Sequence, residues 1–307
     1  MTNGQLAARA TCESALAVRM NDRTGIVVRG KDRTSWLNGL VTCELAKLSS
    51  ADGAYGLIVE KKGRIQTDFF AVPAAGAGSK DALALMVPTD LCDSVVATLD
   101  HYLVMEDVEL EAVELASWQL HGPAALAALE KLDAPYAGTL DVLGVGGAVV
   151  AVPVADAVAF GEGLGTVVSA IGGAVVDDAT WDAVRIERGV PRFGVEVDST
   201  MYPQEASLEK LAVSFNKGCY LGQEVVYMLE NRGHVKRKLV PLDIEGDAIP
   251  TKGDLVTTPD GVAVGDIKSS ALGPASGKPV AIAMLKWAQS KPGTELRVSN
   301  SVAHVRA

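Results

Sequence analysis

Lys217-Gly218-Cys219-Tyr220-Leu221-Gly222-Gln223-Glu224 brings a cation, a thiol, an aromatic ring, an amide and a carboxylate into one short stretch. Its glycines permit a tight turn and the close approach of a ligand. Val225, Val226, Met228 and Leu229 follow at helical spacing, and Asn231 and Gly233 can end that helix. The pattern predicts Cys219 on a turn just before a helix N-terminus. There the helix dipole and Lys217 would both favour thiolate, the nucleophilic and metal-binding form. A lone cysteine is more often a small buried apolar residue; the glycines, the lysine and the helix start argue here for an accessible, activated thiol. Arg232, His234, Lys236, Arg237 and Lys238 follow at once, and cations gathered beside one thiol in an acidic chain point to an anion as its partner.

The chain has 307 residues, 48% hydrophobic and 21% charged, enough for two or three domains with real cores. A net charge of −10 excludes a whole-surface electrostatic grip on nucleic acid and leaves room only for a local basic patch. No apolar run is long enough to span a membrane, and Met1 to Ala10 lacks the charged and apolar regions of a secretory signal. Cys12, Cys43, Cys92 and Cys219 are far apart, with no zinc-ligand spacing. Reduced thiols in the cytoplasm are therefore expected, with Cys12, Cys43 and Cys92 structural. Trp36, Trp118 and Trp181 read as core residues.

The elements that must position these groups can be taken in order. Residues 1–20 read as a helix and Ile26-Val27-Val28 as a short buried strand. Asp32 is a candidate N-cap for a helix carrying Trp36, Leu37 and Leu40, although Ser35 leaves the capping box incomplete. Residues 51–72 read as a hairpin turning at Lys61-Lys62-Gly63-Arg64. In its second strand Gln66, Asp68 and Phe70 share a face, which sets a carboxylate in the middle of an apolar strand. Ala74 to Lys80 reads as a loop, Ala82 to Val87 as a strand, and Thr89 to Tyr102 as a helix. Strands are predicted at Val108 to Ala112 and Trp118 to Leu120. His121-Gly122-Pro123 then turns into a helix with Pro123 at its first position. Residues 144–155 read as a strand pair, and Gly144-Val145-Gly146-Gly147 as a turn rather than a dinucleotide loop, since the full glycine pattern is missing. Helices are predicted at Ala155 to Ala170 and Val175 to Gly189. From Leu239 short strands alternate with turns, which suggests a small antiparallel barrel. These readings divide the chain at residues 1–235 and 236–307.

Several motifs in order resemble one family. They are Arg33-Thr34-Ser35-Trp36-Leu37-Asn38-Gly39-Leu40, Tyr55-Gly56-Leu57-Ile58 with Lys62-Gly63-Arg64-Ile65, His121-Gly122-Pro123, Arg185-Ile186-Glu187-Arg188-Gly189, Pro203-Gln204-Glu205 and the Cys219 stretch. Together, over nearly the whole chain, they look like the folate-binding YgfZ family. That family is related to the glycine-cleavage T-protein (aminomethyltransferase) and to the mitochondrial iron–sulfur cluster assembly factor of the same type. The Cys219 string is specific to the YgfZ branch. The resemblance implies an α+β, three-part cloverleaf around a tetrahydrofolate site. The first module, residues 1–235, would hold two intertwined α/β subdomains, with a small C-terminal β-barrel after it. It also implies a role in assembly or repair of iron–sulfur enzymes, including tRNA-modifying ones. Two departures weaken aminomethyl transfer: Thr67-Asp68 stands where the T-protein pattern has paired aspartates, and Gly161-Glu162-Gly163 is a weak substitute for its pterin-holding segment.

On this reading Tyr55, Asp68, Arg185, Glu187, Lys217 and Tyr220 would surround folate, and Cys219 and Asp68 would carry any chemistry. Asp68 suits a pterin edge because a carboxylate accepts two N–H donors; otherwise it is a solvated edge-strand residue. Arg185 would clamp the folate's glutamate carboxylates. Glu187 better suits a brace for the Gly189–Gly194 turn. Clusters take about four protein ligands, so a cluster on Cys219 would be shared with an iron–sulfur client or assembly partner. Lys217 and the Arg232–Lys238 cations would draw a polyglutamate tail or RNA, or simply form a solvated connection into the barrel. RNA is the less favoured partner, because only Tyr220 and Tyr227 stand near as stacking aromatics. A folate-dependent methyl or aminomethyl transferase is the alternative activity, and a tRNA-binding or scaffold module a second alternative.

Overall fold

The computed structural model describes residues 2–75 and 82–307, so most of the loop expected at 74–80 lies outside the described residues. The α-helices are α1 (Asn3–Glu13), α2 (Arg33–Asn38), α3 (Cys92–Asp100), α4 (Ala125–Leu129), α5 (Ala157–Ala170), α6 (Asp178–Glu187), α7 (Glu209–Ala212) and α8 (Gln223–Asn231). One five-stranded sheet contains β2 (Arg23–Arg29), β3 (Ala54–Val59), β4 (Ile65–Pro73), β5 (Ala82–Pro88) and β6 (Glu109–Val113), in the order β3-β4-β5-β2-β6. A second contains β1 (Leu16–Met20), β7 (Leu115–His121), β8 (Tyr136–Thr139), β9 (Gly147–Pro153) and β10 (Ala174–Val176), in the order β10-β1-β7-β9-β8. The third part is a closed antiparallel barrel of β11 (Arg237–Ile244), β12 (Leu255–Thr257), β13 (Ala263–Leu272), β14 (Pro279–Lys286), β15 (Glu295–Val298) and β16 (Ser301–Val305), closed by the β11–β16 pairing.

The α+β cloverleaf is thus realised as two sheets and a barrel. The first two parts exchange strands. β1 pairs with β7 and β10, while β2, only two residues further on, pairs with β5 and β6. The chain crosses back between β6 and β7 at Glu114. These crossings hold Met20, Asp22 and Arg23 between the sheets. One apolar core runs through all three parts, from Met20 and Tyr55 through Val149 and Ile186 to Leu239 and Met284.

Several expected boundaries shift. The helix expected over 1–20 ends at Glu13, and Leu16–Met20 is a strand. That segment is fully buried except at Arg19 and pairs on both sides, so sheet pairing overrides its helical pattern. Val175 belongs to β10, and α6 starts at Asp178 behind the N-cap of Asp177, whose carboxylate accepts from the Thr180 amide at 2.9 Å. The strand pair expected at 144–155 is the single strand β9. Its neighbour β8 lies upstream, in a Gly/Ala-rich stretch with little β signal. Asp32 precedes α2 but makes no side-chain cap; its carboxylate accepts from the Asp107 amide instead.

Candidate functional site

The strand exchange opens a cleft between the two sheets, with an empty volume of about 540 Å³, part of it open to solvent. Its floor is built by β4. Asp68 and Phe70 lie on one face of that strand, and Tyr55 stands opposite Phe70 on β3 with the rings 4.9 Å apart. Asp68 is only 2% exposed. Tyr55 donates its hydroxyl to Asp68 Oδ2 at 2.9 Å, and Arg23 Nη2 donates to the same oxygen at 2.9 Å. Arg23 reaches there from β2 by lying over the Phe70 ring, 5.2 Å from its centroid.

Arg23 Nη1 stands 2.8 Å from Asp68 Oδ1 as an ion-pair contact, yet among the described residues no donor is aligned with that buried oxygen. An acceptor left so inside a protein is costly unless something else fills it. Burial opposes the charge on Arg23, but Asp68 outweighs it and raises the guanidinium's pKa. Burial, then the Asp68 charge, pushes the Tyr55 phenol well above its ordinary value, so it remains a donor.

The walls are Phe70, Met20, Val142, Leu211 and Trp181, with the Gln119 amide among them. Trp181 is core and cleft wall at once, stacked on His121 at 4.5 Å and 6°. Gln119 holds His121 Nε2 at 3.0 Å, and burial drives the imidazole's pKa down to about 3, so it is neutral. At the rim, Arg192 Nη2 donates to Asp22 at 2.9 Å. Burial works against ionisation of Asp22, but Arg23 and Arg192 hold its carboxyl below the usual range. Arg19 is exposed, 5.5 Å over the Trp118 ring, and has no carboxylate partner among the described residues.

Of the expected ligand-binding residues, the cleft gathers Tyr55, Asp68 and Arg185; Glu187, Lys217 and Tyr220 are not among its lining. Arg185 is 2% exposed and already engaged: Nη1 and Nη2 donate to the two oxygens of Glu196 at 2.9 and 3.0 Å, and Nε to Asp182 at 2.6 Å. The bidentate clamp expected for a ligand carboxylate is met by Glu196 from within the chain. Glu187 accepts from the Ala275 and Ser276 amides at 2.9 and 2.7 Å. It braces the β13–β14 turn rather than the Gly189–Gly194 turn.

Lys217 buries its ammonium, which donates to the Val41 and Cys43 carbonyls at 2.8 and 2.6 Å and lies 5.3 Å over the Tyr220 ring. Burial lowers its pKa to about 8. It therefore pins the turn to the interior. Tyr220 is a core residue. Cys219 is exposed on the turn leading to α8. Cys43, by contrast, is buried, and desolvation pushes its thiol up to about 12. Arg23, Arg19, Arg192 and Gln119 were missed. The one available signal was Asp22-Arg23, a charged pair set between two apolar strands.

Among the described residues no group of three or more histidine, cysteine, aspartate or glutamate side chains is placed to hold a metal ion, and no helix is long and apolar enough to cross a membrane. Residues 237–307 match the model of the glycine cleavage T-protein C-terminal barrel domain. The chain is 29% identical over 234 residues to the tRNA-modifying protein YgfZ of Vibrio vulnificus, spanning 74% of this chain and 70% of that one. It is 28% identical over 295 residues to an aminomethyltransferase of Chlorobium chlorochromatii, spanning 88% and 79%. With an iron-sulfur cluster assembly factor IBA57 homolog, mitochondrial, of Aspergillus fumigatus it shares 24% over 272 residues, 77% of this chain and 59% of that one. The fold matches the glycine cleavage system aminomethyltransferase T of Bartonella henselae with a TM-score of 0.80 at 20% identity, over 99% of this chain and 87% of that one. With the fold, the barrel and these relatives in agreement, the chain is a YgfZ-like relative of the glycine cleavage T-protein.

Proposed function

We propose that this chain binds a tetrahydrofolate in the cleft between its two sheets and serves iron–sulfur cluster assembly or repair, including that of tRNA-modifying enzymes. The observation that carries the folate reading is Asp68: a buried carboxylate on the cleft floor, with one oxygen lacking an aligned donor. That oxygen suits an N–H from the edge of a pterin, and an ionised acceptor makes a strong hydrogen bond. Phe70 and Trp181 supply apolar surface for the ring system, and the exposed Arg19 supplies a cation for the glutamate tail. When bound, the folate supplies a carrier for one-carbon groups. The names of the relatives support the wider role: tRNA modification for one, iron–sulfur cluster assembly for another.

Within the site each residue has a separable task. Tyr55 and Arg23 fix the Asp68 carboxylate in one orientation. Held this way, Asp68 presents an acceptor to a ligand's N–H edge. The transferase is the second reading, kept by the likeness to an aminomethyltransferase. Cys219 offers an exposed thiol outside the cleft as a transient ligand, with the remaining ligands coming from a client protein.

Titration of tetrahydrofolate into the purified protein, followed by tryptophan fluorescence and melting temperature, tests the reading. Saturable binding is expected. Asp68→Asn should weaken it by roughly tenfold or more, as for one charge-assisted hydrogen bond. Absence of saturable binding to the wild-type protein would end the folate reading. Product formation from methylamine donors, lost in Asp68→Asn, would move the assignment to the transferase. Cys219→Ala should leave folate affinity unchanged and abolish complementation of a deletion strain; full complementation would remove the thiol from the function.

A further inference from the structure

We propose that a second face, built from residues outside the cleft lining, binds single-stranded nucleic acid. Three cationic segments far apart in the chain meet there: the β3–β4 turn at Lys61 to Arg64, the connection from Arg232 to Lys238, and the end of β14 at Lys286. α8 joins the first two. Its N-cap Gly222 packs directly on the Glu60 carbonyl, and Val225 on Gly63. The barrel joins the last two, since Arg237 and Lys286 are register partners and the Trp287 amide donates to the Lys236 carbonyl at 3.0 Å. Thr200 links the ends: Arg64 Nη1 donates to its carbonyl and Arg237 Nη2 to its hydroxyl at 3.5 Å.

Aromatic rings are interleaved with these cations. Trp287, 37% exposed, carries the His234 ring at 5.5 Å and the Lys238 ammonium at 5.9 Å from its centroid. Arg64 lies 4.9 Å over Tyr202. Tyr227 on α8 is 46% exposed. Glu205 and Glu209 are taken up by Arg237 and Lys238. Lys61, Lys62, Arg232 and Lys236 are exposed and have no carboxylate partner among the described residues, and Lys286 meets only a backbone carbonyl. Glu60, Glu224 and Glu230 oppose them, and the face is still positive on a chain of net charge −10. Cations that track a backbone, with rings on which bases stack, are what a single strand requires. An acidic protein would need the cations and not the rings. A strand laid along α8 passes the turn that carries Cys219.

The test is fluorescence anisotropy of a labelled, unstructured single-stranded RNA with the full-length protein. Binding is expected, weakened about 50-fold between about 50 and 200 mM salt if roughly four phosphates are neutralised. The exposed double variant Lys61→Glu, Lys62→Glu should weaken binding at low salt and flatten its salt dependence. Trp287→Ala should weaken it by roughly tenfold with the salt slope kept, and Trp287→Phe should restore most of the loss. Unchanged melting temperature and tetrahydrofolate binding in each variant separate failure of this face from failure of the cleft. No binding at low salt would overturn the proposal. So would RNA binding indifferent to Trp287→Ala that a polyglutamate peptide displaces, since that describes a surface for acidic proteins.

Discussion

Arg185 illustrates how a residue can carry the right chemistry for a ligand and give it to the fold. A guanidinium seeks a planar carboxylate. Here Glu196, fully buried on its side chain, provides one 11 residues downstream, and the Val190 carbonyl takes a further N–H at 3.2 Å. Replacing Arg185 by Ala leaves Glu196 as an uncompensated buried charge. We expect a loss of roughly 3–5 kcal/mol in chemical denaturation, of the size found when one partner of a buried pair is removed. An Arg185→Ala protein of wild-type stability with impaired folate binding would instead restore the direct clamp. Asp68 differs from Glu196 in one respect. Both meet an arginine, but Asp68 belongs to the cleft lining and keeps one buried oxygen without an aligned donor.

The motif around Cys219 acts through the elements it joins. Gly222 caps α8 at φ 77°, a left-handed conformation, and a Cβ there would stand 2.5 Å from the Glu60 carbonyl oxygen. Both the backbone and the space demand glycine. Gly222→Ala should therefore lower stability by roughly 2 kcal/mol or more, and the melting temperature with it, because strain and a backbone clash add. Such a variant with an unchanged melting temperature would mean that the contact between α8 and the β3–β4 turn is loose. Lys217 completes the device by pinning the preceding turn to the Val41 and Cys43 carbonyls. The motif's glycine and lysine thus fix the turn that presents the thiol.

Across the whole molecule, charge and burial divide the labour. A net charge of −10 coexists with a cationic face because the three segments that build that face are brought together by α8 and the barrel. Burial also sets the response to acid. His121 is 1% exposed, with its folded pKa near 3, well below the ordinary value of a free histidine. Between those values the unfolded chain takes up a proton and the folded chain does not. His121 therefore contributes stability that is fully present above about pH 6.5 and is lost as pH falls toward 3. We expect this group to remove about 2–3 kcal/mol between pH 6.5 and 4.5. Urea denaturation of the wild type and of His121→Gln across that range checks it, the variant showing the shallower slope. Parallel slopes would show that other groups govern acid unfolding.

Local pattern by itself determined a good deal. The hairpin of β3 and β4, the strand β5, the helix α5, the alternating texture of the barrel and the turn before α8 follow from spacing and turn residues. Those signals act over a few residues, where side-chain period and backbone preference decide. Partners distant in sequence were not legible. Whether Arg185 meets a ligand or Glu196, whether Lys217 points at a thiol or into the core, and which side of a strand becomes a cleft all depend on which segments pack together. The exchange of β1 and β2 between sheets placed Arg23 beside Asp68. The end of β14 placed Trp287 among cations 50 residues upstream, where the chain alone offered only Tyr220, now a core residue, and Tyr227. Sequence determined which chemical groups were available. Tertiary packing decided which of them are neutralised inside and which face a ligand, because a buried charge or donor must find a partner wherever the fold brings one.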